Sequence, residues 1–379
     1  MPWEEVSVMS QRKEFVKLAQ GGDATVRELC RRFGISPTTG HKWLSRFRGG
    51  GEAALADLPR RPHCSPRRTR AEVEELVLKV RDSHPAWGGR KLRAWLSAQG
   101  HELLPSPSTI TAILRRHGRI DPSESAKHRA WQRFEREAPN ELWQMDFKGH
   151  FAMLEGRCHP LTVLDDHSRF SLGLEACGDE RAQTVQQRLT GIFRRFGLPE
   201  RMVMDNGAPW GHDADHPYTP LSVWLLRLGI SVSHGRPYHP QTQGKDERFH
   251  RTLKAEVLQG ATFRDLRHCQ EAFDDWRGVY NLERPHQALG MATPASRYHV
   301  SHWPFPERLP LVEYGPEDQV RRVQDQGRVS WKGRQVKIST AFKGLQVAIR
   351  PTSTDGLWDL FFMTNRICQI DLREPAEYV

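Results

Sequence analysis

Apolar residues follow a helical spacing over roughly the first third of the chain, and short β-type runs mixed with further helical patterns follow in the remainder. Between Val26 and Phe33 they recur every three or four residues. Gly34 then interrupts the pattern, and Ser36-Pro37 supplies an N-cap and a first-turn proline for another helix. Residues 23–48 are therefore predicted to form a helix-turn-helix, although an ordinary helical hairpin has the same spacing. The residues expected to face a major groove are Thr38, Thr39, His41, Lys42 and Arg46.

A second helical unit is predicted over residues 71–118. Its first helix covers Glu72 to Asp82, a further helix begins near Trp87, and a third is capped at Ser108-Thr109. The pattern favours a second helix-turn-helix or winged-helix-like domain. Its candidate DNA contacts are Arg90, Lys91, Arg115 and Arg116.

The stretch between these units is predicted to be a linker. Gly49-Gly50-Gly51 and the basic, proline-containing residues 59–70 leave a first domain at 1–58. The linker arginines could lie along phosphates or in a minor groove, but a solvated charge run has the same composition. They are Arg60, Arg61, Arg67 and Arg68. Residues 119–138, rich in Arg, Glu and Lys, are predicted to form a helical connector.

The middle of the chain is predicted to be an α/β domain with a mixed sheet flanked by helices, because short β-type runs alternate with helical patterns. The predicted strands are 142–147, 161–165, 170–176, 201–205 and 230–234, and the predicted helices are 180–196 and 262–281.

Two acidic residues lie on these predicted strands. The apolar residues at 143, 145 and 147 share one face, so Asp146 points away from that face. Asp205 ends an apolar run and meets the turn signal Asn206-Gly207. It is therefore expected at the carboxyl end of a strand, where open α/β sheets hold ligands.

A third acid, Glu247, lies in the first turn of a strongly basic helix. At 100° per residue it falls on the same side as Arg251 and Lys254. The opposite, inner stripe consists of Phe249, Leu253 and Val257. A solvated helix face with a Glu247–Arg251 pair is the alternative.

Carboxylates in such a trio are suited to hard cations. Mg²⁺ and Mn²⁺ prefer oxygen ligands and bind through a few carboxylates plus substrate phosphate oxygens. Two ions about 3.5–4 Å apart can activate an attacking oxygen and stabilise a leaving one. The trio therefore suggests a metal-dependent enzyme acting on DNA phosphodiesters.

The motifs Trp143-Gln144-Met145-Asp146, Asp205-Asn206-Gly207, the loop Tyr238 to Glu247, and Tyr280-Asn281 to Arg284-Pro285-His286 occur in one order. Over residues 139–298 the chain resembles the DDE integrase core of bacterial insertion-sequence transposases, which is related to retroviral integrases and has an RNase H-like fold.

The resemblance implies a catalytic triad of Asp146, Asp205 and Glu247 that binds Mg²⁺, for which Mn²⁺ can substitute, with two ions per site when substrate is bound. It also implies that Arg251 and Lys254 face DNA. The loop before Glu247 is suited to gripping a nucleic-acid backbone. Its candidate contacts are Tyr238, Gln243 and Lys245.

Other acids compete for the same role. Asp165-Asp166-His167-Ser168-Arg169 resembles a family motif usually interpreted as structural. Asp246 adjoins Glu247, and a negative charge in the first helical turn is explained by the helix dipole. The interval between Asp205 and Glu247 is longer than in many such enzymes, and the surplus maps to residues 208–219. Within it, His212 to His216 has a spacing that could hold a metal, with a solvated loop as the alternative.

Residues 310–379 contain short β-type runs separated by turns, at 329–333, 335–338, 345–349 and 357–361. This region is similar to the small β-barrel that follows many integrase cores, which binds either DNA or neighbouring subunits.

Charge and composition fit a DNA-binding protein. Residues 1–140 contain 26 Lys and Arg against 16 Asp and Glu, which accounts for the whole net charge of +10. The six cysteines are scattered, so neither a disulfide framework nor a zinc site is expected. No eighteen-residue apolar run occurs and the start lacks a signal peptide, so we expect a cytoplasmic, nucleoid-associated protein without a membrane partner.

By this resemblance, the expected function is that of a transposase that binds terminal inverted repeats in double-stranded DNA, cleaves 3′ ends and joins them to target DNA by strand transfer. Binding two ends implies a homo-oligomer, at least a dimer in the synaptic complex. The alternatives are a sequence-specific DNA-binding regulator with an inactive core and a nuclease of the same fold.

Overall fold

The structure is a computed structural model that describes residues 7–58, 68–120, 135–205, 207–211, 218–234 and 244–373. The chain divides into two compact units, residues 1–68 and 69–379. Several predictions concern residues outside the described ranges. They are the contacts of Arg60, Arg61, Arg67, Tyr238 and Gln243, most of the 119–138 connector, and the His212–His216 loop.

The first unit contains three helices, α1 (Val8–Gly21), α2 (Val26–Arg32) and α3 (Pro37–Gly50), and a short 3₁₀ turn at Glu52–Leu55. Ser36 caps α3 by accepting a hydrogen bond from the Thr39 backbone N–H. Gly34 turns the chain with φ +64°, in the left-handed region that favours glycine. The predicted helix-turn-helix is therefore present. Its core consists of Phe15, Val16, Leu29, Cys30, Trp43, Leu44 and Leu55.

The second helical module belongs to the second compact unit and contains α4 (Ala71–Ser83), α5 (Gly89–Ala98) and α6 (Pro107–Arg116). Gly89 allows α5 and α6 to approach closely, because a Cβ there would lie 2.3 Å from the Pro107 carbonyl oxygen. Val279, farther along the same unit, packs against the module's apolar core. This module therefore contacts the α/β domain directly.

The α/β domain is built on a mixed sheet. Its strands are β1 (Trp143–Phe147), β2 (Phe151–Ala152), β3 (Arg157–Asp165), β4 (Ser171–Cys177), β5 (Arg201–Met204) and β6 (Ser231–His234). The order across the main sheet is β4-β3-β1-β5-β6, with β2 paired to β3. β3 is antiparallel to β1 and β4, while β5 is parallel to β1 and β6. The predicted mixed sheet is confirmed.

Helices cover both faces of this sheet. They are α7 (Ala182–Phe196), α8 (Pro220–Arg227), α9 (Gly244–Leu253) and α10 (Leu266–Leu282). Leu161 and Val163 of β3 pack in the cluster with α7 and α8, whereas Leu164 packs in the cluster with α9 and α10. Adjacent side chains of a strand point to opposite faces, so β3 is buried on both sides. A π-helical turn, Lys254–Leu258, follows α9.

The C-terminal region contains β7 (Gln319–Arg322), β8 (Arg328–Trp331), β9 (Arg334–Lys337), β10 (Gln346–Pro351), β11 (Leu357–Phe362) and β12 (Asn365–Asp371). Across the described residues the strands form an open antiparallel sheet, β12-β11-β10-β7, and a separate β8-β9 hairpin. The prediction of a small β-barrel is therefore supported only as far as a β-rich region. Val223 and Leu226 of α8 pack in its core, which joins it to the α/β domain.

In the part of the chain that the structure describes, no helix is long and apolar enough to span a lipid bilayer.

Candidate active site and nucleic-acid surfaces

Asp146 and Asp205 come together through the pairing of β1 with β5. These strands are parallel, with Gln144 opposite Val203. Continuing that register by two residues sets Asp205 beside Asp146 at the carboxyl ends of the two strands. Residues the same number of positions along paired strands point to the same face of a sheet. The sheet therefore aligns the first two predicted acids on one edge.

The carboxyl group of Asp146 is partly buried, with 27% of its side chain exposed. Burial raises the pKa of Asp146 to about 6, and the charges of Asp205 and Glu180 add to the rise, while a backbone hydrogen bond from Phe147 opposes it. A carboxylate that is desolvated beside like charges is stabilised by a bound cation. This setting fits a hard divalent metal ion.

Thr162 and His250 both lie next to Asp146. Thr162 lies opposite Asp146 in the β1–β3 pair, and its hydroxyl donates to the Asp146 main-chain oxygen at 3.0 Å. His250 on α9 is 2.9 Å from Thr162 Oγ1 through Nε2, and its Nδ1 is 4.0 Å from Asp146 Oδ2. Burial lowers the pKa of His250 to about 4, and the charge of Lys148 contributes. The ring is therefore neutral at neutral pH.

Neither Thr162 nor His250 is among the residues predicted from the sequence. His250 stands three residues after Glu247 and four after Asp246, so helical spacing from Asp246 was the available signal. Thr162 carried no local signal, because its contact depends on the pairing of β1 with β3.

Helix α9 has the two faces that the sequence predicts. Phe249 and Leu253 are buried against α10, whereas Glu247, Arg251 and Lys254 are exposed. His250, on the inner side of the helix, lies close to Asp146. Glu247, three residues before His250, lies on the exposed outer face. The side chain of the third predicted acid thus lies in solvent in this structure, and its part in a metal site stays a prediction.

Asp246 has a different environment from the one expected of a first-turn acid. Its side chain is 1% exposed and its Oδ1 has no hydrogen-bond partner. Burial raises its pKa well above the usual range, and the charges of Asp146 and Asp166 add to that rise. Asp246 therefore lies on the inner face of α9, close enough to Asp146 for their charges to interact.

The segment Asp165 to Arg169 forms a hydrogen-bonded turn between β3 and β4. Asp165 accepts from the backbone N–H groups of Asn140 and Ser168 at 2.8 and 2.7 Å. Asp166 accepts from Gln144 Nε2 at 2.7 Å and forms an ion pair with Lys245. These contacts support the structural interpretation of this motif.

The Lys245 side chain is positioned by its ion pair with Asp166 of that turn. Burial lowers its pKa to about 8, while the Asp166 carboxylate opposes the shift. Its ammonium group is thus engaged inside the protein, two residues before Glu247, although it was predicted as a DNA contact.

The segment Tyr280 to His286 joins α10 to the sheet and to the end of α9. The Asn281 side chain bonds both the backbone N–H and the carbonyl oxygen of Ser171, at 2.8 and 3.0 Å. Arg284 pairs with Glu256 at 3.4 Å, and both side chains are at least nine-tenths buried. In this structure the motif serves as a packing element.

The candidate DNA contacts of the first unit lie on one surface of α3. Thr38, His41 and Lys42 are exposed, while Thr39 and Arg46 are partly exposed. The Arg46 guanidinium lies 5.0 Å from the centre of the Trp43 ring. Arg68, at the end of this unit, is exposed. The described geometry leaves these residues accessible to a ligand.

The candidate DNA contacts of the second module differ in their exposure and in their partners. Arg90 and Arg115 are exposed, and Arg116 pairs with Glu74 at 2.6 Å. Lys91 is partly buried: burial lowers its pKa to about 7, and the charges of Arg284 and Arg248 contribute. Lys91 therefore faces the α/β domain.

Among the described residues, no group of three or more His, Cys, Asp or Glu side chains is arranged as a complete metal site. The donors at hand are the carboxylates of Asp146 and Asp205, and water and substrate phosphate commonly supply the remaining ligands of Mg²⁺.

Comparison with known protein families agrees with this domain order. Residues 136–240 and 228–294 match models described as "Integrase core domain". Residues 318–377 match the "IS481 family transposase, C-terminal domain". Residues 11–63 match a "Helix-turn-helix domain" and residues 39–114 a "Homeodomain-like domain". The resemblance predicted from the sequence is confirmed: the chain has the domain composition of a bacterial insertion-sequence transposase with an integrase-like core.

Individual relatives are distant. The chain is 27% identical over 165 residues to the insertion element IS407 uncharacterized 31.7 kDa protein of Burkholderia multivorans, covering 44% of this chain and 57% of the relative. It is 28% identical over 157 residues to the insertion element IS476 uncharacterized 39.2 kDa protein of Xanthomonas euvesicatoria, covering 41% and 44%. The chain thus spans about half the length of these relatives.

Among solved structures, a chain of the simian T-cell lymphotropic virus intasome in complex with PP2A regulatory subunit B56 gamma aligns with a TM-score of 0.39 and 14% identity, over 78% of this chain and 96% of that chain. The HTLV-2 integrase catalytic core domain in complex with magnesium aligns with a TM-score of 0.34 and 16% identity, over 43% and 99%.

Proposed function

We propose that this protein is a DNA transposase that binds the terminal inverted repeats of an insertion sequence, cleaves their 3′ ends by metal-dependent hydrolysis and joins them to target DNA by strand transfer. The observation that supports the proposal is the parallel pairing of β1 with β5, together with the effect of the Asp205 charge on the Asp146 carboxyl group. The helix-turn-helix and integrase-core matches support the same function.

In this proposal Asp146, Asp205 and Glu247 hold the divalent ions, Mg²⁺ or Mn²⁺, with two ions per site when DNA is bound. The ions supply activation of the attacking oxygen and stabilisation of the leaving oxygen. The fixed sheet edge holds the carboxylates of Asp146 and Asp205 at one place. Glu247 on the exposed face of α9 would complete the set when DNA is present.

The reaction comprises two displacements at phosphorus. In the first, water forms a new P–O bond and the bond from phosphorus to the 3′ oxygen breaks, which leaves a free 3′-hydroxyl. In the second, that hydroxyl attacks a phosphodiester of the target strand and displaces its 3′ oxygen. Arg251 and Lys254 are exposed beside Glu247 and would bind phosphates of the reacting strand.

The two helical modules would provide recognition of the ends. Their exposed cations and the excess positive charge of residues 1–140 suit a polyanionic ligand. Cleavage of two ends in one complex requires at least two copies of the chain. We propose a homo-oligomer of two or more subunits that acts in the nucleoid.

The proposal is tested by incubating the full chain with its flanking genomic DNA and Mg²⁺ and mapping the products by sequencing. We expect 3′ nicks at the element ends, followed by joints between those ends and target DNA. Sequence-specific binding without nicks in either Mg²⁺ or Mn²⁺ would instead identify a DNA-binding regulator. Nicks without joined products would identify a nuclease.

A further inference from the structure

The imidazole of His250 stands between two groups of the neighbouring strands. Its Nε2 is 2.9 Å from Thr162 Oγ1, and its Nδ1 is 4.0 Å from Asp146 Oδ2. Only 14% of the His250 side chain is exposed. The ring is therefore held between β3 and the Asp146 carboxylate.

The hydrogen bonds of Thr162 determine which ring nitrogen carries the proton. A threonine hydroxyl has one proton, and a main-chain carbonyl oxygen can only accept. The Thr162 hydroxyl is 3.0 Å from the Asp146 main-chain oxygen, so it donates there. His250 Nε2 must then donate to Thr162 Oγ1, because two acceptors at 2.9 Å would repel each other.

In the neutral ring this assignment leaves Nδ1 with its lone pair, 4.0 Å from Asp146 Oδ2. Two electron-pair donors thus face each other beside Asp205 and Glu180, whose charges act on the same carboxyl group. The charge of Lys148 also acts on His250, and Asp146 interacts with Asp246. A cation between the two atoms would remove their mutual repulsion.

The spacing allows one ion to contact both atoms. Ligand atoms lie about 2.0–2.2 Å from Mg²⁺ or a transition-metal ion, so two ligands of one ion are at most about 4.4 Å apart. The separation of 4.0 Å falls within that limit. Metal-binding histidines usually donate their other ring N–H to a neighbouring acceptor, which fixes the tautomer, and Thr162 Oγ1 is such an acceptor.

We propose that His250 Nδ1 is a nitrogen ligand of the metal ion held at Asp146. This inference rests on the proposed function, because it concerns the same metal site. Nitrogen ligands favour transition metals, whereas Mg²⁺ prefers oxygen. His250 would therefore raise the preference of the site for Mn²⁺ over Mg²⁺ and tie the helix that carries Glu247 to the strand that carries Asp146.

The test is pulsed electron paramagnetic resonance on the untagged full chain loaded with Mn²⁺. We expect electron-spin-echo modulation from a coordinated ¹⁴N nucleus in the wild-type protein. The modulation should disappear in His250→Gln, which keeps an amide N–H for Thr162 but lacks the ring nitrogen. It should persist in the matched control His159→Gln, whose ring pairs with Glu180 at 2.8 Å.

Calorimetric titrations of the same proteins provide a second measurement. In His250→Gln the affinity for Mn²⁺ should fall by about tenfold or more, whereas the affinity for Mg²⁺ should change less. Absence of nitrogen modulation from wild-type protein, with Mn²⁺ bound or unable to bind, overturns the proposal, and so does modulation that survives in His250→Gln. Nitrogen coordination without DNA cleavage would instead overturn the proposed function alone.

Discussion

Two acidic regions lie on neighbouring strands of the sheet, and they differ in what their oxygens contact. At the β3–β4 turn, Asp166 is 1% exposed, accepts from Gln144 and pairs with Lys245. At the β1–β5 edge, Asp146 is more exposed, lies beside like charges and has His250 Nδ1 4.0 Å from its Oδ2. The first region has its charge compensated by the protein, whereas the second would have its charge compensated by a bound cation.

Both regions lie at strand ends, but their contacts differ. The position of an acid at a strand end is therefore insufficient to assign it a catalytic role. A buried carboxylate that is paired with a cation cannot be removed without leaving that cation uncompensated, and this destabilises the folded state. A carboxylate desolvated beside other carboxylates lowers the stability of the free protein and is suited to metal binding. Substitutions in the two regions should therefore have opposite consequences for activity and stability.

The largest expected effect separates Glu247 from Asp246. Glu247→Gln keeps the size of the side chain but removes the charge that the proposed metal site requires, so cleavage and joining should fall by about 10³-fold, or about 4 kcal/mol in the barrier. Asp246→Asn should retain substantial activity. Nick formation on terminal-repeat DNA measures both, with DNA binding as the control. An inactive Asp246→Asn beside an active Glu247→Gln would show that the third acid is misassigned.

The second prediction concerns the stability of the ion pair at the turn. Asp166→Ala leaves Lys245 buried without its partner, so the free energy of unfolding should fall by about 3 kcal/mol. The matched control is Asp82→Ala, which removes an exposed pair with Arg119 at 2.8 Å and should cost less than about 1 kcal/mol. Urea unfolding of the full chain measures both changes. Equal losses in the two variants would contradict the contrast drawn between the regions.

Much of the fold is predictable from local pattern, because strand alternation and helix caps are short-range features. Helix α8 was missed, since Leu221 to Leu226 is nearly uniformly apolar and lacks an amphipathic stripe. The burial of Asp246 was missed because it depends on how α9 packs on the sheet. The contact of His250 with Thr162 joins residues 88 positions apart, so no local pattern contains it.

A third prediction uses the burial of Asp246. Because its pKa is raised in the folded protein, the folded state holds a proton more tightly than the unfolded chain. The contribution of Asp246 to the free energy of unfolding should therefore decrease as the pH rises above the pKa of this group in the unfolded chain, near 3.8. Asp246→Asn removes this dependence and should be more stable than wild type at pH 7 but not at pH 4. Thermal unfolding in EDTA measures the stability of both proteins at both pH values. A stability difference between Asp246→Asn and wild type that is the same at pH 4 and pH 7 would contradict the burial of this acid.

The smallest expected effects are on the exposed face of α9. Arg251→Ala or Lys254→Ala removes one phosphate contact. For binding to the cleaved end, the slope of the logarithm of the binding constant against the logarithm of the salt concentration should become less steep by about one. Binding of the intact repeat by the helical modules should be largely unchanged. Fluorescence anisotropy with pre-cleaved and intact DNA across a salt series tests this, and equal losses on both DNAs would place these residues away from the active site.

The central claim is that the β1–β5 edge performs the chemistry, and its most direct test is the cleavage rate of Asp146→Asn on terminal-repeat DNA with Mg²⁺ or Mn²⁺. Asn preserves the size of the side chain and removes its charge. We predict a loss of about 10³-fold in cleavage with either metal, while repeat binding and the unfolding transition remain close to wild type. Cleavage within tenfold of wild type by a folded Asp146→Asn protein would contradict the claim.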